Sequence, residues 1–171
     1  VNRPDPLQQM MITTGGLGFM RPASGTWGSL PPVVLGTLIV VAGAGPTTPY
    51  WWVYSAVMLA FVVAFSAACI VGGDDAEAVW GKDPSPVVAD ETAGMALLLL
   101  LMPPSLFGAG LFFSLSSLAG AFVLFRALDI AKLPPAYGLQ RFAAGWGILL
   151  DDLVAALQGV VLCWVIVWAM A

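Results

Sequence analysis

Leu97-Leu98-Leu99-Leu100-Leu101-Met102-Pro103-Pro104-Ser105-Leu106-Phe107 lies inside a run of 34 residues, 92 to 125, that carries no charged side chain. How this stretch is read decides the fold. Proline lacks an amide N–H, and its ring collides with the carbonyl four residues back, so Pro103-Pro104 predicts a break in the helix. The run then becomes a hairpin, with a short helix ending at Met102 and a longer one over about 106–131. Read as a kink, the same prolines would send the two ends of the run to opposite sides of a membrane.

Upstream, residues 22–73 form a second charge-free span, 52 residues long. A membrane helix needs about 20 residues, so this span is long enough for two crossings. Gly-Ala-Gly-Pro-Thr-Thr-Pro at 43–49 is a turn signal that divides it. The first helix is expected over about 30–42, short and opened by Pro31-Pro32. The second is expected over about 50–71, with Trp51-Trp52 suited to a membrane-interface belt. A polar loop follows over 72–89, carrying Asp74, Asp75, Glu77, Lys82 and Asp83. Ser85-Pro86 reads as an N-cap with proline at the first helical position, and that helix would bear Asp90 and Glu91 near its start. Downstream, Arg126, Asp129 and Lys132 close the longer hairpin helix, and Pro134-Pro135 stops it. A last helix is expected from about 148 to the C-terminus, with Asp151 and Asp152 in its first turn.

The expectation is an all-α integral membrane protein: one domain over 1–171, a compact bundle of about five hydrophobic helices, two of them short. Residues 1–28 form a polar, Gly-rich lead-in. Composition agrees, since 60% of the 171 residues are hydrophobic and the mean hydropathy is +0.92, values of membrane proteins. No apolar h-region of a signal peptide is apparent in the first ten residues. A net charge of −4 argues against nucleic acid as a partner. Cys69 and Cys163 sit apart in apolar runs and read as buried small hydrophobes. With this helix layout the turns at 43–49 and 103–105 hold no charge, so all 16 charged residues fall on one side. The positive-inside rule makes that face cytoplasmic.

Acids gather on this face at Asp90-Glu91, Asp129 and Asp151-Asp152. Hard divalent cations such as Mg²⁺ take oxygen ligands, commonly carboxylates with water and substrate phosphate. Acids in a first helical turn also suit the macrodipole by roughly 0.3–1 kcal/mol each, which alone could explain every one except Asp129, near a helix C-terminus. Members of each acidic pair point about 100° apart, and Glu91 and Asp152 are favoured as facing inward. Arg126, Asp129 and Lys132, spaced by three, lie within one arc of roughly 120° on a helix, where cations beside a carboxylate can hold a metal and an anion together. They equally suit a charged membrane boundary. Glycines over 13–29 supply backbone N–H groups that could cradle phosphate, although no nucleotide motif is present. The chain has no histidine, which removes imidazole-dependent phosphatase chemistry. The two cysteines lack an arginine six residues on, which removes cysteine phosphatases.

Together these clusters resemble a known family. Asp90-Glu91-x-x-Gly94-Met95, Phe125-Arg126-x-x-Asp129-Ile130-x-Lys132-x-Pro134 and Gly145-x-Gly147-Ile148-x-x-Asp151-Asp152-x-x-Ala155 resemble the blocks of the phosphatidylglycerophosphatase A family, in that family's order. Gly25-Thr26-Trp27-Gly28-Ser29-Leu30 is similar to a fourth. The resemblance implies an all-helical, multi-pass protein of a bacterial inner membrane, with its active site facing the cytoplasm. It implies an Mg²⁺-dependent phosphatase acting on an anionic phospholipid, phosphatidylglycerophosphate. Asp129, Asp152 and Glu91 would be catalytic, with Asp90 and Asp151 as further metal ligands. Arg126, Lys132, Arg21, Thr26 and Ser29 would meet the substrate phosphate. Where the family has Lys-Gly-Gly, this chain has Ala143-Ala144-Gly145, leaving Arg141 as a stand-in cation. The rival expectation is a non-catalytic transporter or assembly subunit whose charges serve topology alone. A transporter would place ionisable groups near the bilayer midplane, and this layout places none there.

Overall fold

The computed structural model describes residues 5–82, 84–134 and 144–170. Among them the chain is all-helical: α1 Pro6–Ile12, a 3₁₀ turn Leu17–Phe19, α2 Ser24–Val41, α3 Trp51–Trp80, α4 Ala89–Leu101, a 3₁₀ turn Pro104–Phe107, α5 Leu111–Ala131 and α6 Ala144–Met170. Helices α2, α3, α5 and α6 are long and apolar enough to cross a membrane. The chain is thus a multi-pass helical membrane protein.

α4 is the helix the others surround. It has 13 residues, nine of them buried, and spans only about 20 Å. The four long helices bury just 22–28% of their most apolar windows and leave the remainder for lipid. Between helices in lipid the hydrophobic effect supplies little, so close packing and hydrogen bonds decide the association. Gly94 shows why a small residue stands in α4: a Cβ there would lie 2.9 Å from the Phe125 ring and 3.0 Å from the Asp152 carbonyl oxygen. That contact brings α5 and α6 against α4 at the level of the acids. Further along, Leu98, Leu99 and Met102 pack with Tyr54, Met58 and Leu118.

The proline hairpin is present, turning through 102–110 between α4 and α5. Its turn lies beside the one after α2, where the Thr47 hydroxyl donates to the Phe107 carbonyl at 3.3 Å. Late α6 is at that end too, with Trp164 Nε1 donating to the Leu101 carbonyl at 3.1 Å. The start of α2, the end of α3, the start of α4, the end of α5 and the start of α6 therefore share the opposite end, and the described charged residues lie there.

Several boundaries differ from expectation, each for a local reason. α2 begins at Ser24, so Pro31 and Pro32 lie inside the helix. Pro32 cannot donate to the carbonyl of Gly28 four residues back. The Thr92 hydroxyl of α4 donates to that carbonyl instead, at 2.7 Å, so the break is repaired by a neighbouring helix. α3 runs to Trp80, through Asp74, Asp75 and Glu77, where a loop was expected. α1 supports this extension, with Gln8 Nε2 donating to the Val71 carbonyl and to Asp75 Oδ2, each at 3.2 Å. Ser85-Pro86 does not open α4. The chain turns there, with the Val87 N–H donating to the Pro84 carbonyl, and the Val88 N–H donates to the Ile12 carbonyl at 3.0 Å. α4 then starts at Ala89. α6 begins four residues before 148, which moves Asp151 and Asp152 out of its first turn.

Candidate active site

A cavity of about 330 Å³ opens at the charged end. α4 lends it Asp90 and Glu91 from its first turn, α5 lends Arg126 and Asp129, and α6 lends Asp151 and Asp152; Lys132 comes from the left-handed C-cap after α5, off the helical arc expected for it. α2 contributes Ser24 and Gly25. Four helices thus bring together residues that are 128 positions apart (Ser24 and Asp152).

Ion pairs divide the acids into two sets. Lys132 Nζ donates to Asp151 Oδ2 at 2.7 Å. Arg126 Nη1 lies 2.6 Å from Asp129 Oδ2 and 4.0 Å from Glu91 Oε1. Asp129 stands in the last turn of α5, where the helix dipole disfavours a negative charge, and the Arg126 guanidinium offsets that cost. Arg126 also retains buried Nε and Nη1 atoms with no aligned acceptor, because distance without direction does not make a hydrogen bond. Its planar fork keeps donors for an incoming anion.

The second set comprises Asp90, Glu91 and Asp152. One carboxylate oxygen from each lies within 4.8 Å of the others. Asp90 Oδ1, Glu91 Oε2 and Asp152 Oδ2 are all buried without a hydrogen-bond partner. Three clustered carboxylates repel one another, and each buried anion is costly unless a cation joins it. The donor set is oxygen alone, which suits a hard divalent cation. The residues present therefore fit a metal, and the unpartnered oxygens are the structural sign of it.

The macrodipole does not account for Asp151 and Asp152, which are the eighth and ninth residues of α6. Asp90 and Glu91 both line the cavity, although the 100° rule expects one of them to turn away. The rule presumes a helix with one wet face, and α4 has none. Gly25 makes the closest approach. A Cβ there would overlap Glu91 Oε1 and sit 2.9 Å from both terminal nitrogens of Arg126. The Gly25-Thr26-Trp27-Gly28 block was the signal that pointed to this segment, yet its side chains are not what reach the cavity. The Ser29 hydroxyl is fully buried and donates to the Gly25 carbonyl at 2.8 Å. Thr26 is half-buried and Arg21 exposed, and neither lines the cavity among the described residues. Ser24 and Gly25 do. Arg141 and Ala143 lie outside the described residues.

Comparison with known proteins agrees with this geometry. The family model for phosphatidylglycerophosphatase A matches residues 10–167. A Bacteroides thetaiotaomicron protein, named provisionally as a phosphatidylinositol-3-phosphatase, is 32% identical over 98% of this chain and 98% of its own length. A Haemophilus influenzae protein named phosphatidylglycerophosphatase A is 29% identical over 88% of this chain and 83% of its own. No solved structure matches the chain.

Proposed function

This chain belongs to the phosphatidylglycerophosphatase A family, and on that premise we propose that it hydrolyses the terminal phosphate monoester of phosphatidylglycerophosphate, with Mg²⁺ held by Asp90, Glu91 and Asp152. The observation that carries the reading is the set of three buried carboxylate oxygens without partners, beside an arginine that still has donors to offer. Bound there, Mg²⁺ would supply Lewis-acid stabilisation of the charge on the phosphoryl group.

The other roles follow from the side chains. Arg126 receives two non-bridging phosphate oxygens on its planar fork. Lys132 adds a point charge at the rim while its ammonium remains on Asp151. Asp129, fixed by Arg126, orients the attacking water, takes its proton and returns it to the glycerol oxygen as the phosphorus–oxygen bond breaks. Gly25 lets the backbone of α2 close over Glu91 and Arg126, where any side chain would displace both.

The names of the two relatives differ in head group but share one chemistry, a phosphate monoester carried on a phospholipid. Phosphate release by purified protein from phosphatidylglycerophosphate and from phosphatidylinositol 3-phosphate, with Mg²⁺ and with chelator, separates the two. The expected result is Mg²⁺-dependent release with the first lipid preferred. No release from phosphatidylglycerophosphate at saturating Mg²⁺ refutes the proposal. The charged end is assigned to the cytoplasm by the positive-inside rule. Single cysteines at Gly45 and Lys82, in a background lacking Cys69 and Cys163, should label from opposite sides, Gly45 from outside.

A further inference from the structure

The cavity at the charged end has a neighbour on the outer surface of the bundle, further toward the uncharged end. Between α5 and α6 lies an apolar groove of about 430 Å³, walled by Leu128, Leu133, Val154, Leu157, Val161 and Leu162. That volume lies in the usual range of ligand pockets. The two spaces have no lining residue in common, but they adjoin on both walls. On α6, residues 151, 154, 158 and 162 recur at helical spacing on one face, so the stripe that begins at Asp151 in the cavity continues as the groove. On the other side, Lys132 lines the cavity and Leu133, the next residue, lines the groove.

The junction is held in place. The Lys132 ammonium donates to Asp151 at its upper edge. Two turns along α6, Gln158 Nε2 donates to the carbonyls of Leu133 at 3.4 Å and Pro134 at 3.1 Å. The turn after α5 is thereby clasped to α6 at two levels, and the groove runs beneath it. From Asp151 to Leu162 the path is about 16 Å along the helix axis, directed from the charged end toward the uncharged one. A mouth lined by charged side chains that continues into an open apolar groove along the helix axis matches an amphiphile with a charged head.

A second apolar groove, of about 550 Å³, is walled by Trp27, Pro31, Val34 and Leu38 of α2 with Phe61 of α3. It lies on the other side of α2 from Gly25, since residues 27, 31, 34 and 38 fall about 180–240° around the helix from residue 25. Its α2 wall follows on from Ser24 at the cavity's edge, but no residue of α3 lines the cavity, so this groove adjoins it on one wall only.

We infer that the α5–α6 groove is the seat of an acyl chain of the phospholipid whose phosphate occupies the cavity, the lipid entering sideways from the bilayer between these two helices. This rests on the lipid phosphatase reading above and adds where the apolar part of the substrate lies. Substrate preference should then depend on chain length, and the residues that set it are Val154, Leu157 and Val161 rather than any at the cavity.

Two measurements test it. In the first, the KM for dioleoyl phosphatidylglycerophosphate is compared with that for the dihexanoyl lipid, for wild type, Leu157→Trp and Leu38→Trp in the same detergent. Leu157 is 46% exposed, so the larger ring can be accepted without disturbing the core. Leu157→Trp should raise the long-chain to short-chain KM ratio at least fivefold, and Leu38→Trp should leave the ratio at the wild-type value. An unchanged ratio in Leu157→Trp, or an equal shift in both variants, overturns the inference. The second measurement uses wild-type protein and needs no turnover. A phosphatidylglycerophosphate bearing a diazirine on one acyl chain is crosslinked, alongside the same lipid without the terminal phosphate. Label on the 154–162 peptide that is at least threefold stronger for the phosphorylated lipid supports the groove. Equal labelling by both lipids, or label centred on 27–38, rejects it. Labelling as expected from a protein that releases no phosphate supports the groove while rejecting the reaction proposed above.

Discussion

Asp151 and Asp152 are adjacent in sequence and both buried, at 5% and 3% exposure, yet they meet different surroundings. Asp151 accepts a hydrogen bond from the Lys132 ammonium. Asp152 turns about 100° further around α6, toward Asp90 and Glu91, and keeps an oxygen with no partner. The first is a compensated charge of the kind that fixes a helix end. The second belongs to a cluster of buried carboxylates with Arg126 at 4.0 Å from one of them, which a bound cation would stabilise further. One step along a helix thus separates an ion-paired acid from one that, on the proposed reading, would hold the metal, and substitution at each should reveal the difference.

The largest effect is expected within the cluster of Asp90, Glu91 and Asp152. Asp152→Asn and Glu91→Gln keep shape and remove ligand charge. Metal assistance is worth several kcal/mol of transition-state stabilisation, so phosphate release by either variant should fall roughly 10³-fold. Both should remain folded and membrane-inserted, because removing charge from a repelling cluster does not destabilise it. Activity within tenfold of wild type would move the metal elsewhere.

Arg126→Lys comes next. Lysine keeps the charge and loses the fork, so turnover should drop about 100-fold, while the Mg²⁺ concentration giving half-maximal rate stays near wild type. A shift of that midpoint as large as the shift in Asp152→Asn would make Arg126 a partner that positions acids rather than a phosphate ligand.

The smallest expected effect lies at the residue next to the acids of α4. Thr92 receives a hydrogen bond from the Thr14 hydroxyl at 2.8 Å and donates to the Gly28 carbonyl, tying the lead-in, α2 and α4 together. Thr92→Val leaves that carbonyl unsatisfied and should cost about 1–3 kcal/mol of stability. It should appear as a lowered Tm in detergent, with the folded fraction keeping its rate. A loss of rate at unchanged Tm would place Thr92 in the chemistry instead.

Much of this was legible in the sequence because charge is so scarce. Pro103-Pro104 and the charge-free runs set the hairpin, and with it the gathering of charge at one end. Four short blocks pointed to the family. What stayed hidden depended on partners distant in sequence. Pro31-Pro32 reads as a helix start until Thr92 is seen to satisfy the Gly28 carbonyl. Asp74, Asp75 and Glu77 read as loop until α1 is seen packing on that turn of α3. Arg21, Thr26 and Ser29 looked like phosphate contacts because their side chains can bond phosphate, whereas it is the missing side chain of Gly25 that matters at the cavity. The different surroundings of Asp151 and Asp152 had no local signature, since Lys132, which pairs with Asp151, comes from the end of α5.

The contrast between these two acids reduces to one measurement. Phosphate release from phosphatidylglycerophosphate is followed over an Mg²⁺ titration for purified wild type, Asp151→Asn and Asp152→Asn at saturating lipid. Loss of partners that merely orient a metal ligand commonly weakens metal binding 10- to 100-fold, so loss of a ligand should do at least as much. The Asp152→Asn midpoint should rise tenfold or more, or fail to saturate, and the Asp151→Asn midpoint should stay within about threefold of wild type. Equal shifts in both variants, or no shift in Asp152→Asn, would contradict a metal held by Asp90, Glu91 and Asp152.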